Sequence, residues 1–105
     1  MMSIPMIDKV GDQKVAEVVA GTRVGDNREA SRFEITIDSQ TAFLEYERQL
    51  GRIRLIHTEV PLKLQGRGLG NLLAKHALDA ARSDRLTIIA ECPVVQAYLR
   101  KNPIR

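Results

Sequence analysis

The hydrophobic period of this chain changes first between Val60 and Leu69, and that change limits the folds open to it. Before it, apolar and polar residues alternate as half-buried strands require: Arg32 to Ile37 is one run, Thr41 to Arg48 a second, Arg52 to Val60 a third. Asp38-Ser39-Gln40 and Gln49-Leu50-Gly51 supply turn chemistry between them. Connections this short join spatial neighbours, so the three strands are expected to form an antiparallel meander. After the change, Leu69, Leu72, Leu73, His76, Ala77, Ala80 and Ala81 recur at helical spacing, which predicts an amphipathic helix from Gly68 to about Ser83. Leu86-Thr87-Ile88-Ile89-Ala90 is a nearly unbroken apolar run, expected to be a strand buried on both faces. Pro93 suits the first turn of a helix, and Val94, Val95, Tyr98 and Leu99 mark a short one ending near Asn102-Pro103. The helix between the third and fourth strands makes those two parallel, with a right-handed crossover. The expected class is therefore α+β: a mixed, mainly antiparallel sheet in which a β-meander leads into a β-α-β-α unit.

With 105 residues there is room for one domain and one modest core. That domain is expected over residues 29–105. Residues 1–28 read as an N-terminal extension, in which Val15 to Val19 is either a short strand or part of a mobile tail. Sixteen Lys and Arg against thirteen Asp and Glu leave a net charge of +3, a mild excess that suits an anionic ligand. The basic residues are scattered, so no specific nucleic-acid partner is expected. The single cysteine, Cys92, excludes an intrachain disulfide, and with only two histidines no metal site is expected. No apolar stretch is long enough for a membrane span, and no signal-peptide pattern opens the chain, so a cytoplasmic protein is the default expectation. Self-association is expected to be no stronger than a weak homo-oligomer.

The chemistry concentrates in Gln65-Gly66-Arg67-Gly68-Leu69-Gly70, between the third strand and the long helix. Glycines let backbone run close to a ligand without Cβ clashes. A helix N-terminus offers unpaired N–H donors and a positive dipole end, which together bind phosphate. Arg67 adds a charge-assisted contact. Two common phosphate loops fail on spacing: Gly70 is followed by Asn71-Leu72 rather than Lys-Ser/Thr, and position 73 is Leu where a dinucleotide fingerprint needs Gly. The pattern present is Gln-x-x-Gly-x-Gly, on Gln65, Gly68 and Gly70.

That pattern resembles the pyrophosphate-binding motif of the GNAT superfamily of N-acetyltransferases. Thr58-Glu59-Val60-Pro61 ahead of the loop is similar to that superfamily's central strand. Glu91-Cys92-Pro93 through Tyr98, followed by Asn102-Pro103, is similar to the ending of a minimal GNAT group of about this length. The resemblance spans roughly Arg32 to Pro103. It implies a cofactor wedge between the two parallel strands, with acetyl-CoA as the bound acyl donor. The main chain around Glu59-Val60 would pair with the pantetheine arm, and amides of Arg67 to Asn71, Leu69 included, would hold the pyrophosphate. Longer members carry helices after the first strand. Here strands follow one another directly, so the acceptor side is open or completed by a partner.

Four side chains are candidates for catalysis. Cys92 either fills core as a small hydrophobe or, at a helix N-terminus, is an activated thiol able to relay an acetyl group. Tyr98 resembles the GNAT general acid that reprotonates the CoA thiolate, or is a core aromatic with its hydroxyl at the surface. His57 and Glu59, two apart, are expected on one face of the third strand, where either takes a proton from an ammonium acceptor or is merely solvated. The expected activity is acetyl transfer from acetyl-CoA to a primary amine, on a small molecule or a protein. The competing expectation is a CoA-binding module without turnover, a sensor or one half of a complex. A weaker third, motivated only by the basic balance, is an RNA-associated domain.

Overall fold

A computed structural model describes residues 22–103; the segment Val15 to Val19 lies outside them. Five strands form one sheet in sequence order: β1 Gly25–Asn27, β2 Arg32–Ile37, β3 Gln40–Gln49, β4 Arg52–Glu59 and β5 Thr87–Ala90. β1 to β4 are antiparallel and β5 runs parallel to β4. Helix α1 (Leu69–Ser83) makes the crossover between them, and α2 (Pro93–Lys101) follows β5. The α+β class and the mixed, mainly antiparallel sheet are as the periodicity requires. β1 extends the meander to a fourth strand, so the sheet begins four residues ahead of position 29.

The turns obey local chemistry. Ile37 pairs with Gln40 across Asp38 and Ser39, which both hold positive φ, +50° and +69°, as a tight two-residue hairpin demands. Alternation then sorts the side chains. Phe33 and Ile35, Ala42, Leu44 and Tyr46, and Ile53 and Leu55 all turn to one face, where they are buried. There they meet Leu69, Leu73, Ala74, Ala77, Leu78 and Ala81 from α1 and Val95 from α2. Each fully buried Leu or Ile contributes about 1.5–3 kcal/mol. Phe33 anchors one end, 4.9 Å between ring centroids from Tyr46 and 5.4 Å from His76 of α1. His76 is thus a rim residue of the core.

Both helices use this one face; among the described residues no element covers the other. For that reason the strand expected to be buried on both faces is not. β5 is an edge strand, with Thr87 exposed and Ile88, Ile89 and Ala90 half-buried. Its apolar run reflects packing on one side and partial shelter by Arg54 and its neighbours on the other, not a second helical layer.

Candidate functional site

The site is built on an irregularity in β4. Opposite β3, Tyr46 pairs with Leu55 but Glu45 pairs with His57, so β4 carries one extra residue, Ile56. A bulge of this kind inverts the facing of everything after it. Ile53 and Leu55 face the core, yet beyond Ile56 it is Thr58 that faces inward, and His57 and Glu59 point to the uncovered face. The sequence did carry the signal: Leu55-Ile56 are adjacent apolar residues that break the alternation.

At the same place β5 leaves. The parallel register ends at Leu55 opposite Ala90. The Leu55 carbonyl accepts from both the Glu91 and the Cys92 N–H, each at 2.9 Å, after which the chain turns into α2. From Ile56 onward β4 has no β5 partner, and a wedge opens between it and the start of α2. The parallel pairing therefore ends at the place where the resemblance implies a cofactor cleft.

Beyond the wedge, Pro61 leads into a single 3-10 turn, Leu62–Leu64, and then the glycine loop. Gln65 folds back so that its Nε2 donates to the Val60 carbonyl at 3.0 Å, tying the loop to the strand end. Gly66 and Gly68 sit at φ +83° and +79°, flanking Arg67 on the ordinary side of φ. Alternating handedness of this kind turns successive N–H groups toward one concavity. The first helical hydrogen bond runs from Leu72 N–H to the Gly68 carbonyl, 3.1 Å. The N–H groups of Gly68, Leu69, Gly70 and Asn71 therefore have no intrahelical acceptor. No side chain caps this end and no acidic residue stands in its first turn, so no carboxylate of that turn opposes a bound anion. Gly70 has another reason to be glycine: a Cβ there would lie 3.3 Å from Val94 Cγ1, where the first turns of α1 and α2 meet.

Val60, Gln65, Gly66, Gly68, Leu69, Gly70 and Asn71 line one open hollow of about 250 Å³, together with Leu64 and Val94. That is below the size of a typical whole-ligand pocket, so the hollow suits one part of an extended ligand such as a diphosphate. Leu69 takes part through its backbone, since its side chain is core. Arg67 is outside the lining; its guanidinium points along the loop, with Nη2 3.5 Å from the Lys63 carbonyl. Leu64 and Val94 belong to the hollow but not to the motif. Only the packing of α2 against α1 brings Val94 there.

The four catalytic candidates are not brought together. Cys92 is 1 % exposed, beneath the fork, with its Sγ 3.0 Å from the Thr58 hydroxyl. His57 and Glu59 are side by side on the opposite face, Nε2 to Oε1 3.2 Å, and both are exposed. Tyr98 lines a separate surface hollow between the helices, with Lys75, Leu78, Asp79, Arg82, Asn102 and Pro103. Across β3, β4 and β5, Arg54 binds Glu91 bidentately at 2.8 and 2.9 Å and also pairs with Glu47. That guanidinium holds the Glu91 carboxyl below the usual carboxylate range. No cluster that could hold a metal ion occurs among the described residues, and no helix there is long and apolar enough to cross a membrane.

Comparison with known proteins agrees with this geometry. A family model described as GCN5-related N-acetyl-transferase matches residues 32–104. The chain is 36 % identical over 85 residues to Protein NATD1 of Mus musculus, covering 78 % of this chain and 77 % of that one. It is likewise 36 % identical over 85 residues to Protein NATD1 of Homo sapiens, covering 78 % and 75 %. Protein NATD1 of Danio rerio is 30 % identical over 93 residues, covering 85 % and 84 %. A wedge beside a bulged strand, a Gln-x-x-Gly-x-Gly helix start and a family match across both helices lead to one conclusion: the chain belongs to the GCN5-related N-acetyltransferase family.

Proposed function

We propose that the chain binds acetyl-CoA, with the diphosphate at the Gly66–Asn71 hollow and the pantetheine arm in the wedge, and transfers the acetyl group to a primary amine. The observation that carries this reading is the hollow itself. It joins the end of β4, where that strand has lost its β5 partner, to a helix start with unpaired N–H donors and no carboxylate. The donor set fits a diphosphate, and the unpaired edge of β4 fits the amides of an extended arm.

Acetyl-CoA supplies an activated thioester carbonyl. The chain's part is to bind, to orient and to move protons. Glu59, held beside His57 Nε2 on the open face, takes the first proton from the acceptor ammonium, which makes the nitrogen a nucleophile. A C–N bond then forms as the C–S bond breaks. The second proton shed by nitrogen ends on the departing sulfur, and the first passes to solvent. Main-chain donors of β4 beyond the bulge polarise the carbonyl. Direct attack is preferred to a relay through Cys92, whose thiol is buried and bound to Thr58.

Titration calorimetry of acetyl-CoA and CoA against wild type and Gly68→Trp tests the binding half. The expected result is micromolar-range binding that disappears in the variant; equal affinity in both sinks the loop assignment. A second reading, a CoA-binding module without turnover, is favoured by one observation: Cys92 and Tyr98 both stand away from the hollow. Turnover of acetyl-CoA across a panel of primary amines separates the two, since a module binds the thioester and consumes none.

A further inference from the structure

The uncovered face of the sheet bordering the wedge has a charge opposite to that of the whole chain. Register places Glu34, Phe43 and Glu59 in one row across β2, β3 and β4, and Arg32, Glu45 and His57 in the next. His57 and Glu59 lie past Leu55, where β5 has left, so both rows run up to the wedge. On a chain of net charge +3, these six positions hold three carboxylates against one guanidinium.

That guanidinium is already committed. Arg32 binds Glu34 at 2.7 Å and lies over the Phe43 ring, 4.2 Å from its centroid. Glu59 meets only the imidazole of His57, and Glu45 is exposed and enters no ion pair among the described residues. The rings of Phe43 and His57 stand edge to face at 6.3 Å between the two carboxylates. An aromatic face that holds one cation, beside carboxylates that hold none, is complementary to positive charge. The surface is a pleated sheet rather than a cleft, so it lacks the enclosure a small ligand needs and suits a length of polypeptide laid across it.

We propose that this face docks a basic polypeptide segment, whose lysine ε-amine is the acetyl acceptor, and that Glu45 and Glu59 select it by charge. The identity of the reaction rests on the acetyl-transfer reading above, whereas the docking does not. Glu59 sits nearest the wedge and meets the lysine itself. Glu45, one row back, meets the positive charge of a neighbouring residue on the segment and sets specificity.

The test uses fluorescence anisotropy of the whole chain with three labelled lysine peptides, flanked by arginines, by alanines or by aspartates. The arginine-flanked peptide should bind on the order of tenfold tighter than the aspartate-flanked one, with an affinity that falls as salt is raised. Glu45→Lys should weaken that peptide on the order of tenfold, and Ser83→Lys, the same kind of charge on the helical side, should leave it unchanged. Equal binding of all three peptides, binding of spermine with none of the peptides, or an unaffected Glu45→Lys variant would each overturn the proposal. Acetyl-CoA titration of the same samples keeps the two readings apart. Peptide discrimination without acetyl-CoA binding supports the docking face and fails the cofactor reading; acetyl-CoA binding without discrimination does the reverse.

Discussion

At the scale of single residues, three glycines that look alike in sequence do different work. Gly66 and Gly68 are needed for a left-handed backbone, with open space where a Cβ would go. Gly70 is needed for closeness to Val94. A side chain at Gly68 is therefore strained but not crowded, at a cost of about 1–3 kcal/mol. Gly70→Leu is crowded instead and should cost about 1–3 kcal/mol through overpacking. Val94→Ala in the same background should recover part of that, a coupling read from urea unfolding as a double-mutant cycle; additive losses would show that the helices do not meet at Gly70. The loop's place at a helix start was legible in the sequence because Gln65, Gly68 and Gly70 form a spaced pattern. The division of labour was not, because spacing carries no record of what stands opposite. Cys92 shows the same limit: its helix-start position was readable, but whether the thiol faced core or ligand depended on the Thr58 hydroxyl that the bulge turned toward it.

At the scale of elements, nearly every strand and helix was legible from period alone, because each has one apolar face and punctuated ends. Three features escaped. The bulge at Ile56 leaves only a local break in alternation, and the edge position of β5 is a matter of what is missing beside it. β1 escaped as well, since Gly25-Asp26-Asn27 reads as turn and is recruited by pairing with β2 and by one side-chain bond. In that bond the Tyr46 hydroxyl donates to Asp26 Oδ1 at 2.5 Å. Burial, and then the Asp26 carboxylate, push the Tyr46 hydroxyl up from 10.0 to about 12. A raised value means that the folded state favours the protonated hydroxyl. The stability it gives is complete below pH 10 and is lost as pH rises through about 12. Tyr46→Phe keeps the ring on Phe33 and removes the bond, so it should cost about 1 kcal/mol at neutral pH. The gap to wild type should close across the alkaline range in urea midpoints; a gap independent of pH would show that the bond is not what the hydroxyl contributes.

At the scale of the whole molecule, one dry face must carry the stability of a small domain. Cys92 reports on it directly, since at 1 % exposure it is reached only when α2 lifts from the fork at Leu55. Labelling by a bulky thiol reagent should be slow in the native state and should follow the unfolding curve in urea. Immediate labelling of folded protein would mean that the α2 end of the wedge opens on its own, and would return the thiol to consideration as a relay. The α+β class was legible at this scale. The one-sidedness was not, because an amphipathic strand has the same pattern whether its polar face meets water or a partner.

That one-sidedness bears on how such a chain changes over evolutionary time. Among the described residues the jigsaw constraints lie beneath the helices, and the other side is a plain of charges that packing does not dictate. Insertions between the early strands can be laid on that plain or removed from it without repacking a single core residue. On the acetyl-transfer reading proposed above, acceptor preference is thereby free to drift while the donor-binding framework stays as it is.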